Sequence, residues 1–313
     1  MAYPVDSSPY LGSTPSPAYT GTFIPEIWSG KLIEKFYAAT VLAAIANTDY
    51  EGEIKSYGDK VKIRTKPTIT INDYQADQPL TVQRPSSNII EMLIDQGKYF
   101  NTVLDDVMET QMDINALSVW ADDASEQMKI KIDTAVLATL TAGTDSLNKG
   151  TTAGKISGNV NLGATGSPVS LTSTNVLDAI VDLGTVLDEQ NIPETGRWLI
   201  IPPWVGARVK KSDLRNASIS GDGVSLMRNG RLGMIDRFTL YSSNLLPTAT
   251  EGSATAFHIY GGHPHGLTFA SQMTKMETLR SEQTFGTLMR GLQVYGSKVL
   301  DGIALADLYA VAG

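Results

Sequence analysis

Apolar residues recur with helical spacing from Thr102 to about Leu140, at Leu104, Val107, Met108, Met112, Leu117, Trp120, Ala124, Met128, Ile132 and Val136, uninterrupted by proline or glycine. The pattern predicts one helix about 60 Å long at 1.5 Å per residue. Thr102 with Asp105 would form its capping box and Gly143 its stop. Upstream the period changes. Between Tyr57 and Asp95 lie two β-rich arms, KVKIRTKPTITI and SSNIIEMLID, joined by a polar tip and opened by a turn at Gly58-Asp59. Pro67 cannot donate to a ladder, so its strand must be an edge or carry a bulge. An arm of about twelve residues reaches roughly 40 Å, whereas a compact chain of this length has a radius of gyration of about 20 Å. The hairpin is therefore expected to project, and an isolated two-stranded ribbon is marginal in water without a neighbour to lie on.

The flanking segments are read in the same way. Phe23-Ile-Pro-Glu-Ile-Trp28 predicts a helix running to about Ala46, with Pro25 and Glu26 in its first turn and Ile27, Leu32, Ile33 and Phe36 on one stripe. Before it, a Pro/Ser/Thr/Gly/Tyr-rich stretch is either a disordered tail or an arm whose Tyr3, Tyr10 and Tyr19 dock elsewhere. Residues 143–172 read as loop or hairpin with weak β signals at Ile156 and Val160–Leu162. A helix over Ser173–Gln190, a buried strand at Trp198–Ile201 and a short helix from Pro202-Pro203 follow. Strands are expected near Phe238–Tyr241, Ala256–Tyr260, Gly266–Phe269 and Thr287–Tyr295. Alternating helix and strand make this half a mixed α/β region.

Composition narrows the chemistry. The 313 residues contain no cysteine, which removes disulfides, thiolate metal sites and thiol nucleophiles together. A net charge of −8 argues against a surface built to grip nucleic acid, because that task needs clustered Lys and Arg. No apolar run is long enough to span a membrane, and the N-terminus lacks the pattern of a secretory signal. Hydrolase, zinc-protease, P-loop and dinucleotide-binding signatures are absent from the sequence. His258, His263 and His265 fall within eight residues but without a known coordination spacing, so neither a metal nor a cofactor is expected. The aspartate pairs 105–106 and 122–123 sit on adjacent helical positions that diverge, which suits a solvated face better than a catalytic dyad. Arg208, Lys210, Lys211, Arg215, Arg228 and Arg231 are the densest basic run, without interleaved aromatics, and are read as a subunit contact or solvated loop.

The order of parts resembles the major capsid proteins of tailed double-stranded DNA bacteriophages with the Hong Kong 97-type fold. The strings that carry the likeness are FIPEIWSGKL at 23–32, GDKVKIR at 58–64, TITINDY at 68–74, NGRLGMIDRFTLYSSNLLP at 229–247 and LRSEQTFGTLMRGLQVYGSKVL at 279–300. The resemblance implies an α+β chain with an N-terminal arm (1–30), a helix leading into the hairpin (31–51) and an extension-loop β-hairpin (52–93). A peripheral domain with a spine helix (94–171), an α/β axial domain (172–272) and return strands of the peripheral domain (273–313) complete it. It further implies hexamers and pentamers in an icosahedral virion head around double-stranded DNA bound without sequence preference, assembled in the host cytoplasm. A portal protein, a separate scaffolding protein and a decoration protein are the implied partners, with no membrane. By position, the hairpin tip (Tyr74, Gln78, Arg84) and the axial loop (Lys210, Arg215, Arg228, Arg231) would contribute subunit contacts. An encapsulin-like nanocompartment shell, and an enzyme with an unrecognised site, are the alternatives.

Overall fold

The computed structural model describes residues 37–49, 60–67, 69–76, 79–111, 116–212, 233–282 and 284–313. Among them the strands form three sheets. A two-stranded ribbon pairs β1 (Lys60–Arg64) with β2 (Ile89–Leu93). A three-stranded antiparallel sheet has the order β10-β11-β3, where β3 is Gln96–Asp105, β10 Leu267–Arg280 and β11 Gly286–Val299. The largest sheet has seven strands. It runs β4 (Val169–Leu171), β12 (Leu305–Ala312), β9 (Ala254–Gly262), β5 (Arg197–Ile201), β7 (Phe238–Ser242) and β6 (Met234–Ile235), with β8 (Thr248–Glu251) on β9. Its helices are α1 (Leu42–Ile45), α2 (Asp106–Gln111), α3 (Ala116–Gly143), α4 (Val176–Glu189) and α5 (Pro203–Lys211).

β5 sorts the core. All five of its residues are buried, and strand alternation sends Leu199 and Ile201 to one face, Trp198 and Ile200 to the other. The first face packs with Ile180, Leu183 and Leu187 of α4 and with Val205 and Val209 of α5. The second packs with Ile132, Val136, Leu137 and Leu140, the C-terminal half of α3. Helices thus cover both faces of the sheet, and each fully buried Leu or Ile contributes about 1.5–3 kcal/mol. Between Leu117 and Lys131 of α3 no side chain is fully buried; burial begins at Ile132.

Two polar devices hold the layers. Arg197, fully buried, donates to the carbonyls of Ile192 (2.6 Å) and Pro193 (2.9 Å) beyond the end of α4 and pairs with Asp188 at 2.7 Å. Asp188 also takes Arg237 at 2.7 Å. Arg237 and Asp236 both have positive φ, at 64° and 45°, in the two-residue turn between β6 and β7, a conformation that usually selects Asn or Gly. Ion pairs from Arg237 to Asp188 and Glu194 hold that turn closed. On the other side, buried Asp133 of α3 accepts the Val41 and Leu42 amides at 2.7 and 3.1 Å, and so caps α1 from a distant element.

Several expectations change. The long helix does not begin at Thr102: residues 96–105 form β3, paired with β11 from Gln96↔Tyr295 to Asp105↔Gly286, and the Thr102 hydroxyl donates to the Met289 carbonyl. The waiting β11 edge outweighs the helical period, because it offers ten residues a full ladder. The spine is α3, 28 residues long. The helix expected up to Ala46 is only the four-residue α1 within the described residues, preceded by non-helical residues 37–40. Its start at Phe23, the N-terminal arm and the turn at Gly58-Asp59 lie outside the described residues. Residues 143–172 form successive turns and the bridges Ala153↔Val160 and Ala164↔Ser167, with Ala153 and Leu162 in the core. Strands β9, β10 and β11 outrun the short segments that the pattern marked.

Two outcomes follow. Asp133→Ala strands two buried N–H groups and costs about 2 kcal/mol in urea unfolding. Burial alone would raise the Asp188 carboxyl, but hydrogen bonds from Arg197 and Arg237 outweigh it and hold the group low. Its stabilisation is complete above the ordinary carboxylate value and is lost as pH falls below about 4. Asp188→Asn therefore flattens the acid limb of a stability-versus-pH curve.

Candidate interaction surface

The hairpin base is anchored by five cross-strand pairs, Lys60↔Leu93 through Arg64↔Ile89. Val61 and Ile63 face inward, and Val61 packs with Met92, Ile94, Ala270 and Val294 in a small core of its own. Lys60, Lys62 and Arg64 share the outer face, with Lys62 3.4 Å from Glu91. Beyond Thr65, whose amide and hydroxyl both donate to the Asn88 carbonyl, the ladder stops. The full-length arms expected from the sequence are thus replaced by a five-rung base and open extended segments. Pro67, Pro79 and Pro85 lack the N–H that further rungs require.

One side chain spans the gap. Gln83 accepts the Thr70 amide at 3.0 Å and donates to the Thr70 carbonyl at 2.7 Å, so its carboxamide takes the place of a strand's peptide group. Around it Ile69, Ile71, Tyr74, Leu80 and Val82 are 60%, 88%, 78%, 78% and 85% exposed. Aliphatic residues at such exposure, next to unladdered backbone, are the signature of a surface made for a partner. Among the described residues, the distal hairpin leaves these side chains in solvent.

A second apolar surface lies on the three-stranded sheet. Tyr99, Val103 and Leu279 are exposed on one of its faces, as is Phe285 at the β10–β11 turn, while Met276 is exposed on the other. Between them a groove of about 450 Å³ runs over Gly291, where a Cβ would strike the Phe100 ring at 2.2 Å. Lys275, Glu277 and Arg290 line it, with Arg290 bonded to Glu277 at 2.7 and 3.0 Å. Arg280 clamps Asp106 at the far end.

Of the residues singled out by sequence, Tyr74 and Arg84 are exposed on the distal hairpin, and Lys210 is half-buried on the last turn of α5. Gln78, Arg215, Arg228 and Arg231 lie outside the described residues. The sequence reading missed Gln83, whose role needs Thr70 across the gap, and the Gly291 groove, which takes residues from three strands. The histidines have separate surroundings. His258 Nδ1 contacts the buried Asp307 carboxylate at 2.9 Å, while the His263 ring accepts the His265 amide at 3.2 Å. Among the described residues no cluster of three metal-ligating side chains occurs, and no helix is long and apolar enough to cross a membrane.

Comparison with known proteins gives these surfaces a context. A family model for phage capsid protein matches residues 91–308. A structure from Mycobacterium phage Che8 superposes with a TM-score of 0.76 at 27% identity, over 93% of this chain and 98% of that one. The capsid of the cyanophage P-SCSP1u gives 0.73 at 17%, over 93% and 94%. The mature capsid of bacteriophage PhiM1 gives 0.69 at 14%, over 96% and 98%. No curated protein matches in sequence. The chain belongs to the phage capsid protein family and has the Hong Kong 97-type fold. It is a structural major capsid protein of an icosahedral phage head, one of the many subunits of the virion shell.

Because Ile71 and Val82 are 88% and 85% exposed, Ile71→Ser and Val82→Ser should each change the unfolding free energy of the unassembled subunit by less than about 0.5 kcal/mol in a urea titration.

Proposed function

We propose that the hairpin is the extension loop by which each subunit docks on the next. The observation that carries this reading is the open distal hairpin, with five exposed apolar residues and a ladder that ends at Thr65. An extended segment gains its missing hydrogen bonds and buries its side chains by lying on another copy. The Gly291 groove and the exposed face around Tyr99 are the complementary apolar surface on that copy. Each contact is modest alone; many in parallel hold a closed shell. Head-to-tail contacts of this kind close into rings when the rotation permits, which fits hexamers and pentamers.

In this reading 1–30 is the N-terminal arm, 31–51 the segment with α1 that leads into the hairpin and 52–93 the extension loop. Residues 94–171 form the peripheral domain around its spine, 172–272 the axial domain and 273–313 the return strands. Tyr74, Gln78 and Arg84 contribute contacts at the hairpin tip, and Lys210, Arg215, Arg228 and Arg231 contacts near the ring axis. The shell encloses double-stranded DNA without reading its sequence, in keeping with a net charge of −8. Assembly takes place in the host cytoplasm with a separate scaffolding protein, a portal protein at one vertex and a decoration protein outside.

Shortening the hairpin between Thr65 and Ser87 leaves a folded subunit with a normal circular dichroism spectrum that forms no shells by electron microscopy. Normal shells from that deletion overturn the docking role.

A further inference from the structure

The hairpin joins the body through Ile94 and Asp95, which separate β2 from β3. β11 passes directly beneath this junction: a Cβ on Gly296 would stand 2.4 Å from the Leu93 carbonyl oxygen and 3.2 Å from Ile94 Cα. Backbone therefore rests on backbone, with no side chain wedged between them. The preceding residue, Tyr295, pairs with Gln96 at the last rung of the β3 ladder and with Ser271 on its other flank. There β10 carries one extra residue before Met273, a bulge that lets a sheet bend locally. The end of a ladder, a glycine contact and a bulge meet at one point, beside the small core in which Val61 and Met92 pack with Ala270 and Val294.

The polar bookkeeping at this point is incomplete. Tyr295 is 1% exposed, its ring lies 5.6 Å from Phe269, and among the described residues its hydroxyl has no hydrogen-bond partner. A buried hydroxyl left unpaired is costly. It lines a cavity of about 310 Å³ between the hairpin junction and α3, together with Asp95, Glu91 and Lys298. Burial, and after it the negative charge of Asp95, hold the Tyr295 phenol above its usual range. Asp95 is exposed and accepts the Gln96 side-chain amide at 3.2 Å on one oxygen. Glu91, by contrast, faces Lys62.

We propose that the Tyr295 hydroxyl is a latch: it stands open in the free subunit and donates to the Asp95 carboxylate when the hairpin pivots into its docked position on a second copy. Docking and latching then favour each other, as any two events coupled through one conformational change must. The inference rests on the docking role proposed above and adds the residue pair that couples it to the body.

The test uses full-length chains carrying Tyr295→Phe, Asp95→Ala or both, with two readouts: the thermal midpoint of the unassembled subunit and the guanidinium midpoint for dissociation of assembled shells. Phe removes an unpaired hydroxyl, so the free subunit's midpoint rises by about 2 °C or more. The shells of the same variant dissociate at lower guanidinium, because the latch is gone. Asp95→Ala lowers the shell midpoint to a similar extent, and the double variant goes no lower than the weaker single one. An unchanged or lower thermal midpoint for the free Phe variant, an unchanged shell midpoint, or additive losses in the double variant overturns the latch. If the unaltered chain forms no shells, the docking role falls with it; if unaltered and Phe shells dissociate alike, only the latch falls.

Discussion

A peptide group removed from water has to find a hydrogen-bond partner, and the distal hairpin cannot supply enough of its own. Three prolines deny it donors, and the arms separate after Thr65, with Gln83 bridging them at Thr70. Ile71 and Val82, among the most exposed aliphatic side chains, sit on those same arms. Left in solution, this segment is a two-sided cost: apolar surface in water, and extended backbone fixed by little. Both terms change sign only when another surface covers it. A shell subunit has to be stable alone and yet more stable in company, and in the docking role proposed above this hairpin separates the two requirements physically.

The body meets the first requirement. Its seven-stranded sheet is covered on both faces, and β5, buried throughout, distributes its side chains between the two cores. Buried polar groups register the layers: Asn148 donates to the Ile303 and Leu305 carbonyls, both at 2.8 Å, and accepts from Gln190 at 3.0 Å. Arg197 plugs the end of α4, and Asp133 fixes the start of α1. Such groups cost more when one partner is missing than they contribute when complete, so they select one arrangement over its near neighbours. A body held in this way presents the five-rung hairpin base in a defined direction. The stretch of α3 over residues 117–131, with no fully buried side chain, lies outside this scheme and shows that the helix is longer than the core it serves.

The sequence alone determined the presence of the hairpin, the spine helix and the α/β alternation, because each rests on a local period or on a residue with strict backbone demands. Gly143 ended the spine as its last helical residue, and the buried run Trp198–Ile201 is a central strand. Tertiary structure decided what those signals could not. Residues from Thr102 onward read as helix, yet 96–105 are a strand because β11, nearly two hundred residues away, holds a matching edge. The Arg197–Asp188–Arg237 linkage, the Gln83 bridge and the unpaired Tyr295 hydroxyl each depend on elements far apart along the chain. Local patterns encode which surface a segment must bury; which partner buries it, and which polar atom is left waiting, is settled only when distant segments compete for the same space.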